Sequence, residues 1–492
     1  GFLYRATGFY IYIGNECNIL GLLKIKMNKM NKNKLSAILA LLVLVMSSCE
    51  NRLELLPEDD IANEIVFSGE VTALGAVVGI YNRAAQDDVL NGTFQFIQEW
   101  QADNVAFEGT FSTFEQVSVY ATLATNTSIN AIWDDHYEVI GAANLVIDNV
   151  PLVEDEDFTD AERTQAIAEA RFLRALAYFQ LSTVFGQPLQ VGSGRSNLSV
   201  PLVTTSETGI ELPRATLGEI QDFVESEMLA VIPLLADGTR IIANPGAARA
   251  FLAKLYLYQE RWDEAANMAN MVISDPFYTL AADYTFFDSP DNAEHVFTLV
   301  NNAVDGQDTG QGFSGLSNPV PEGRGDVPFT QNLLDAYAEE AGDLRFSELN
   351  QEGPGAISPN AIFTNKFPDG VNNSDDAPVM RITEMYLTRA EANLRAGTTV
   401  GDTPVNDINT LRSRAGLADL GAVDLDIILN ERRKELAFEG QRRMDLLRNG
   451  LNLRRPGQPQ EAASAPGQNL TIFPIPQQVR DLSPFLEQNP GY

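Results

Sequence analysis

The chain has 492 residues and sets 34 Lys+Arg against 67 Asp+Glu, a formal charge of −33. Nucleic acid is thereby excluded as a default partner, because polyanion binding needs a basic face that releases phosphate counterions. A hydrophobic content of 45% provides ample core, while two Cys and two His exclude a disulfide framework and argue against a His/Cys metal site.

Residues 1–26 lack an initiating Met and are expected to be upstream, non-native sequence, with Met27 or Met30 as the start. Residues 27–48 read as a signal peptide: Lys29, Lys32 and Lys34 precede the apolar run Leu35–Met46, and Ser47 and Ser48 follow. That run spans about 18 Å as a helix, too short for a bilayer core of about 30 Å. The residue after the expected cut is Cys49, an arrangement that resembles a bacterial lipobox with Met46 at a position where Leu is commoner. Cys49 is the expected lipidation site, and 49–60 the acylated tether. Residues 1–48 hold six bases (Arg5, Lys24, Lys26, Lys29, Lys32, Lys34) and one acid, Glu16, so their removal leaves a still more acidic chain. Such a charge disfavours anionic headgroups and acidic polysaccharides unless cations or a local basic patch intervene.

From 61 onward, helical runs alternate with Gly/Pro/Asn/Asp-rich stretches. A helix is predicted over 132–150. Thr159-Asp160-Ala161-Glu162 is a capping box, and Ile167, Ala170, Leu173, Ala177, Leu181 and Val184 form one apolar stripe before Gly186 and Pro188 end that helix. The segment 247–273 places Leu252, Ala253, Tyr256, Trp262, Ala265, Ala266 and Ala269 at the offsets of a tetratricopeptide-like helix pair, and a second copy begins at Met385 with Tyr386, Ala390, Ala392 and Gly397. Tetratricopeptide-like helices are thus expected at about 132–186, 246–275 and 379–416. The stretches 186–213, 283–328 and 351–378 read as long loops, which usually bind or cover something.

Near the carboxy terminus, Ile428, Arg432, Glu435 and Glu439 share a stripe with Leu425, Leu429 and Leu436 beside it, and Lys434 is within reach of Glu431. LNERRKELAFEGQRRMDLLRNG over 429–450 resembles the carboxy-terminal signature of the SusD/RagB family. EARFLRALAYFQLSTVFGQP at 169–188, KF at 366–367, PVMRITEMYLTRAEANLRAG at 378–397, DINTLRSRAGL at 407–417, the closing 473–492 and QADNV at 101–105 resemble it in the family's order. The resemblance implies a mainly α fold with little β-structure, a tetratricopeptide-like repeat scaffold with a loop-rich ligand-facing side. It divides 61–492, one SusD-like domain, into an N-terminal part at about 61–240 and a C-terminal part at about 280–492. It further implies a surface-exposed, lipid-anchored outer-membrane lipoprotein of Bacteroidota that captures glycans or peptides for a SusC-like TonB-dependent transporter. Glu431, Arg432, Glu435 and Arg442 are, by this resemblance, fold-maintaining ion pairs.

A sugar site needs exposed aromatic platforms flanked by polar side chains. Asp103, Asn104, Phe107 and Phe111, with Phe114 and Tyr120 nearby, offer one such set; Phe313 and Arg324, with Asn318, offer another. The competing reading of each aromatic is burial under the loops. No catalytic residues are assigned and no cofactor is expected. His136 and His295 stand outside any HExxH or GxSxG pattern and read as structural, and no acid pair is singled out for a glycoside hydrolase. Gly310-x-Gly312-x-x-Gly315 has dinucleotide spacing, but Leu316 to Pro319 is expected not to open a helix. Asp155-x-Asp157-x-Thr159 lacks the Gly and Glu of an EF-hand; calcium between other loop acids is left open. The alternative to glycan capture is a peptide-binding or purely partner-binding scaffold.

Overall fold

Side chains at the helix starts set the frame. Asn126, Thr159, Thr216, Asn244, Thr330, Thr403 and Asp424 each precede a helix and accept from the amide three residues on, satisfying one of the orphan donors at that end. The capping box at Thr159 is complete, with the Thr159 amide donating to Glu162 Oε2 at 2.9 Å. The computed structural model describes residues 63–209, 211–288, 292–304, 306 and 310–492. The expected signal peptide, Cys49 and the tether lie outside the described residues.

The helices that build the scaffold and the site are α1 (Glu70–Ala84), α2 (Thr93–Gln101), α3 (Ser112–Ser118), α4 (Thr127–Asn149), α5 (Asp160–Phe185), α6 (Leu217–Val231), α7 (Pro245–Tyr258), α8 (Trp262–Ile273), α9 (Phe313–Ser317), α10 (Gln331–Ala338), α11 (Ile382–Ala396), α12 (Pro404–Arg414), α13 (Leu425–Leu436) and α14 (Arg442–Leu447), with short helices besides at Asn63–Val66, Leu344–Ser347 and Gln477–Leu482. Helix α4 packs on α5, α7 on α8 and α11 on α12; α5 on α6, α6 on α7 and α8 on α11 link these pairs into a continuous stack. Small residues make the close approaches workable: Ala250, Ala253, Ala265, Ala266, Ala269, Ala390 and Ala392 are all fully buried. The tetratricopeptide-like pairs read from the alanine offsets are therefore present, with the second pair, α11 and α12, far along the chain from the first.

Helix α5 departs from the amphipathic expectation. From Phe172 to Phe185 every residue except Thr183 is buried, because α1, α4, α6 and a strand cover it on all sides. Its charged side chains survive there by pairing: Arg174 Nη2 meets Glu227 Oε2 at 2.6 Å and Nη1 donates to Asn144 Oδ1 at 2.6 Å.

The three stretches read as loops hold most of the strand content. β1 (Leu198–Pro201) pairs with β2 (Arg214–Thr216), β3 (His295–Leu299) with β6 (Ala377–Arg381), and β4 (Asn350–Gly353) with β5 (Ala361–Thr364), all antiparallel. Such short runs carry too few residues for a period-2 signal. A second correction concerns the glycine spacing at 310–315, where α9 does form a helix. It is only five residues long and buried, and no described strand leads into it, so it builds no dinucleotide cradle. Among the described residues no helix is long and apolar enough to cross a membrane. Asn63–Tyr492 forms one compact unit, with its main apolar cluster running through α1, α4–α8 and the β3–β6 pair.

Candidate functional site

Two charged arrangements and one aromatic surface stand out among the side chains around α2, α13 and α14 and the loops that follow α2. The first arrangement is internal. Helix α13 ends at Leu436, and the chain turns back through Phe438 (φ 71°) and Gly440 (φ 72°) into α14. Gly440 is demanded there, since a Cβ would lie 2.9 Å from Gln95 Cα of α2.

The turn presents carboxylates inward to a group of cations. Glu435 meets Arg414 at 2.6 Å and Arg381 at 3.1 Å; Glu439 meets Arg381 at 2.9 Å and Lys366 at 2.6 Å; Glu431 meets Arg345 at 2.5 Å and Arg412 at 2.8 Å. Lys366 Nζ also donates to the carbonyls of Glu435 (2.8 Å) and Ala437 (2.9 Å), so a buried ammonium spends its three donors on the turn itself. Further along, Arg432 meets Asp445 at 3.0 Å, and Arg442 grips Asp103 through Nε at 2.7 Å and Nη2 at 2.9 Å. Burial pushes the Glu435 carboxyl up, yet Arg414, Arg381, Arg345 and Lys366 outweigh it and hold the group at about 2. These buried pairs lock α13, α14, β6 and α12 together, although Arg414 Nε and Arg432 Nη2 are left without a hydrogen-bond partner. Glu431, Arg432, Glu435 and Arg442 thus all stand in ion pairs. Lys434, though, turns away from Glu431 to Glu339 at 3.5 Å.

The aromatic surface lies where two segments more than 200 residues apart in sequence are stitched side by side. Ala106 N donates to Pro328 O and Glu108 N to Asp326 O, both at 3.0 Å, with an antiparallel bridge between Val105 and Phe329. This pairing delivers Phe111, at the start of α3, to Arg324, whose guanidinium carbon sits 4.2 Å from the ring centroid. Phe111 also stacks on Phe114 at 5.6 Å and keeps 45% of its surface exposed. Arg324 is oriented by Asp326, which accepts from Nε at 2.7 Å and Nη2 at 2.6 Å. The neighbouring turn is clamped by Glu108, which accepts from Ser358 N at 3.0 Å and Ser358 Oγ at 2.7 Å. Gly325, at φ 66°, lets that turn approach, since a Cβ would fall 2.8 Å from Ala356 N. A partly open aromatic edge, a guanidinium and two ordered acids on loops are the elements that hold a polar ring against water.

The structure sorts the expected ligand residues sharply. It brings Phe107, Phe111 and Arg324 into one neighbourhood, with Phe107 edge-on to Trp100 at 5.3 Å. Asp103 and Asn104 are corrected to interior residues: both are fully buried, Asp103 on Arg442 and Asn104 accepting from Arg433 Nε at 2.7 Å. Phe313 is likewise buried, stacked on Phe367 at 4.3 Å, and Asn318 is spent on the carbonyls of Ser314 and Phe367. Phe114 and Tyr120 are core. Sequence reasoning passed over Glu108, Asp326 and Ser358, whose role arises only when the extended segments at 105–108 and 326–329 meet. His136 is buried in α4 against the Ile132 carbonyl, at 2.7 Å, and His295 is buried in β3. Among the described residues no group of three or more His, Cys, Asp or Glu is placed to hold a metal.

Comparison with known proteins fits this architecture. The family model described as the SusD family matches residues 354–492, and the one described as starch-binding associating with outer membrane matches 53–257. The chain belongs to the SusD family. Among its SusD-family relatives, SusD-like protein P2 of Formosa agariphila is 25% identical over 93% of this chain and 99% of its own. A SusD superfamily protein from Bacteroides thetaiotaomicron shares the fold with a TM-score of 0.76 at 24% identity, covering 85% of this chain and 99% of that one. A laminarin-binding SusD-like protein does so with a TM-score of 0.71 at 23% identity, over 86% of this chain and 100% of its own.

Proposed function

We propose that this protein is a cell-surface glycan-binding lipoprotein, held at the outer membrane through Cys49, that captures oligosaccharide and passes it to a SusC-like TonB-dependent transporter without chemical turnover. The observation that carries the reading is the Phe111–Arg324 pair, an exposed aromatic and an oriented guanidinium set on the loop-bearing side of a rigid ion-paired scaffold. Support comes from the match over 53–257 to a family described as starch-binding and outer-membrane-associated, and from the laminarin-binding protein that shares the fold.

The physical division of labour is clear. Sugar rings gain from contact between their C–H faces and an aromatic surface, while hydroxyls take hydrogen bonds from charged and amide groups. A loop site on a rigid base pays little ordering entropy on binding, which suits capture followed by release. Calorimetric titration with a panel of neutral glucans is the test: saturable binding is expected, weakened about tenfold or more by Phe111→Ala and by Arg324→Ala. Silence across the panel, together with retention of a SusC-like transporter in a pull-down, would replace capture with a partner-binding scaffold. Appearance of shortened saccharide would replace it with hydrolysis.

A further inference from the structure

A second charged arrangement shares no lining residue with the Phe111–Arg324 pair. Asp103 is approached by three guanidiniums: Arg442 at 2.7 Å, Arg455 at 2.8 Å and Arg433 at 3.5 Å. One buried carboxylate therefore serves three cations, an excess of positive charge inside a chain of net −33. The neighbouring acid, Glu99, is fully buried and pushed up to about 7 by that burial, against the opposing Gly440 amide and Asn104, so it offsets the excess only in part. Asp426, exposed on the first turn of α13, is the other acid at this place.

The three arginines line a pocket of about 400 Å³ together with Asp426, Leu429 and Leu451. Their donors are unevenly used. Arg442 binds Asp103 through Nε and Nη2; Arg433 uses Nε on Asn104 and Nη2 on Asn332 at 2.7 Å; Arg455 donates Nη2 to the Asn452 carbonyl, while its Nε lies 2.8 Å from Asp103 as a charge contact without a hydrogen bond. The Nη1 atom of each has no hydrogen-bond or ion-pair partner among the described residues. Planar donors of this kind pair with carboxylate and sulfate oxygens. Arg455 is the most accessible of the three, its side chain 26% exposed against 7% and 8% for Arg433 and Arg442.

We propose that this pocket binds the oxyanion of an acidic sugar, a uronate carboxylate or a sulfate ester, between the free guanidinium edges, with Leu429 and Leu451 against the ring. It is the local basic patch that an otherwise strongly acidic protein requires before it can accept an anionic saccharide. The saccharide half of the assignment rests on the glycan reading above; the oxyanion half does not.

The test is calorimetric titration of the full chain with glucuronate, glucose 6-sulfate, glucose and inorganic sulfate. At least one acidic sugar is expected to bind saturably and roughly tenfold more tightly than glucose, losing affinity several-fold between about 20 and 200 mM salt. Asp426→Asn, an exposed change that leaves the fold intact, should tighten that binding severalfold, Arg455→Ala should weaken it about tenfold, and Phe111→Ala should leave it unchanged. Equal binding of glucose, or indifference to both Asp426→Asn and salt, would overturn the site. Binding of inorganic sulfate with neither acidic sugar would overturn the saccharide assignment. Should neutral glucans still bind through Phe111 while these probes fail, only the present proposal falls.

Discussion

Replacing Glu435 by Gln removes one negative charge from the centre of the ion-paired core while keeping the side chain's size. Its carboxylate is 1% exposed and serves Arg414 at 2.6 Å, Arg381 at 3.1 Å and, at 3.9 Å, Arg345. Burial alone would raise this acid, but the cations around it hold it at about 2 against an ordinary value of 4.5. The unfolded chain takes up the proton near its ordinary value and the folded chain only near 2, so the stabilisation is complete above roughly pH 4.5 and disappears as pH falls through 2. That interval is worth about 3 kcal/mol, in line with the ~3–5 kcal/mol lost when one side of a buried ion pair is removed. Urea unfolding followed by circular dichroism is therefore expected to show Glu435→Gln less stable by about 3 kcal/mol at neutral pH, the gap closing between about pH 4.5 and pH 2. A loss below about 1 kcal/mol at neutral pH, or a gap that stays constant on acidification, would refute the view that Glu435 acts through its charge.

Glu99 should behave in the opposite sense: burial pushes it up to about 7 while the unfolded chain ionises near 4.5, so stability falls as pH rises across that window. Glu99→Gln keeps an acceptor for the Gly440 amide, and thermal unfolding at several pH values is expected to show a flatter profile and a more stable variant above about pH 7; a parent whose midpoint does not fall across the window would refute the assignment. Cys49→Ala is expected to release the protein from membranes with its unfolding midpoint unchanged, since each acyl methylene contributes about 0.8 kcal/mol of membrane affinity. Retention of that variant in the membrane pellet after a carbonate wash would remove Cys49 as the anchor.

Local chemistry was legible from residue order alone. The Thr159 capping box and the alanine offsets at 247–273 and from Met385 each rest on residues within a few positions of one another, and all appear in place. The acid–base composition of α13 was legible in the same way, and its side chains stand in buried ion pairs. Proximity in sequence failed where distant segments decide the outcome. Lys434 lies three residues from Glu431 yet pairs with Glu339, while Glu431 takes Arg345 and Arg412.

The sequence by itself determined the helical class, the repeat-like pairs and the family, because helix periodicity, caps and collinear motifs are properties of neighbouring residues. Only the tertiary structure decided which polar and aromatic side chains face solvent. Asp103, Asn104 and Phe313 have the composition of a sugar site but lie in the core, and Phe111 and Arg324 meet only because the segments at 105–108 and 326–329 run side by side. The surplus of arginine around Asp103 was likewise hidden, since Arg433, Arg442 and Arg455 declare a shared target only when α13, α14 and the following loop converge on the end of α2. Burial and electrostatic balance are sums over the whole packed neighbourhood, and no local stretch of sequence carries them.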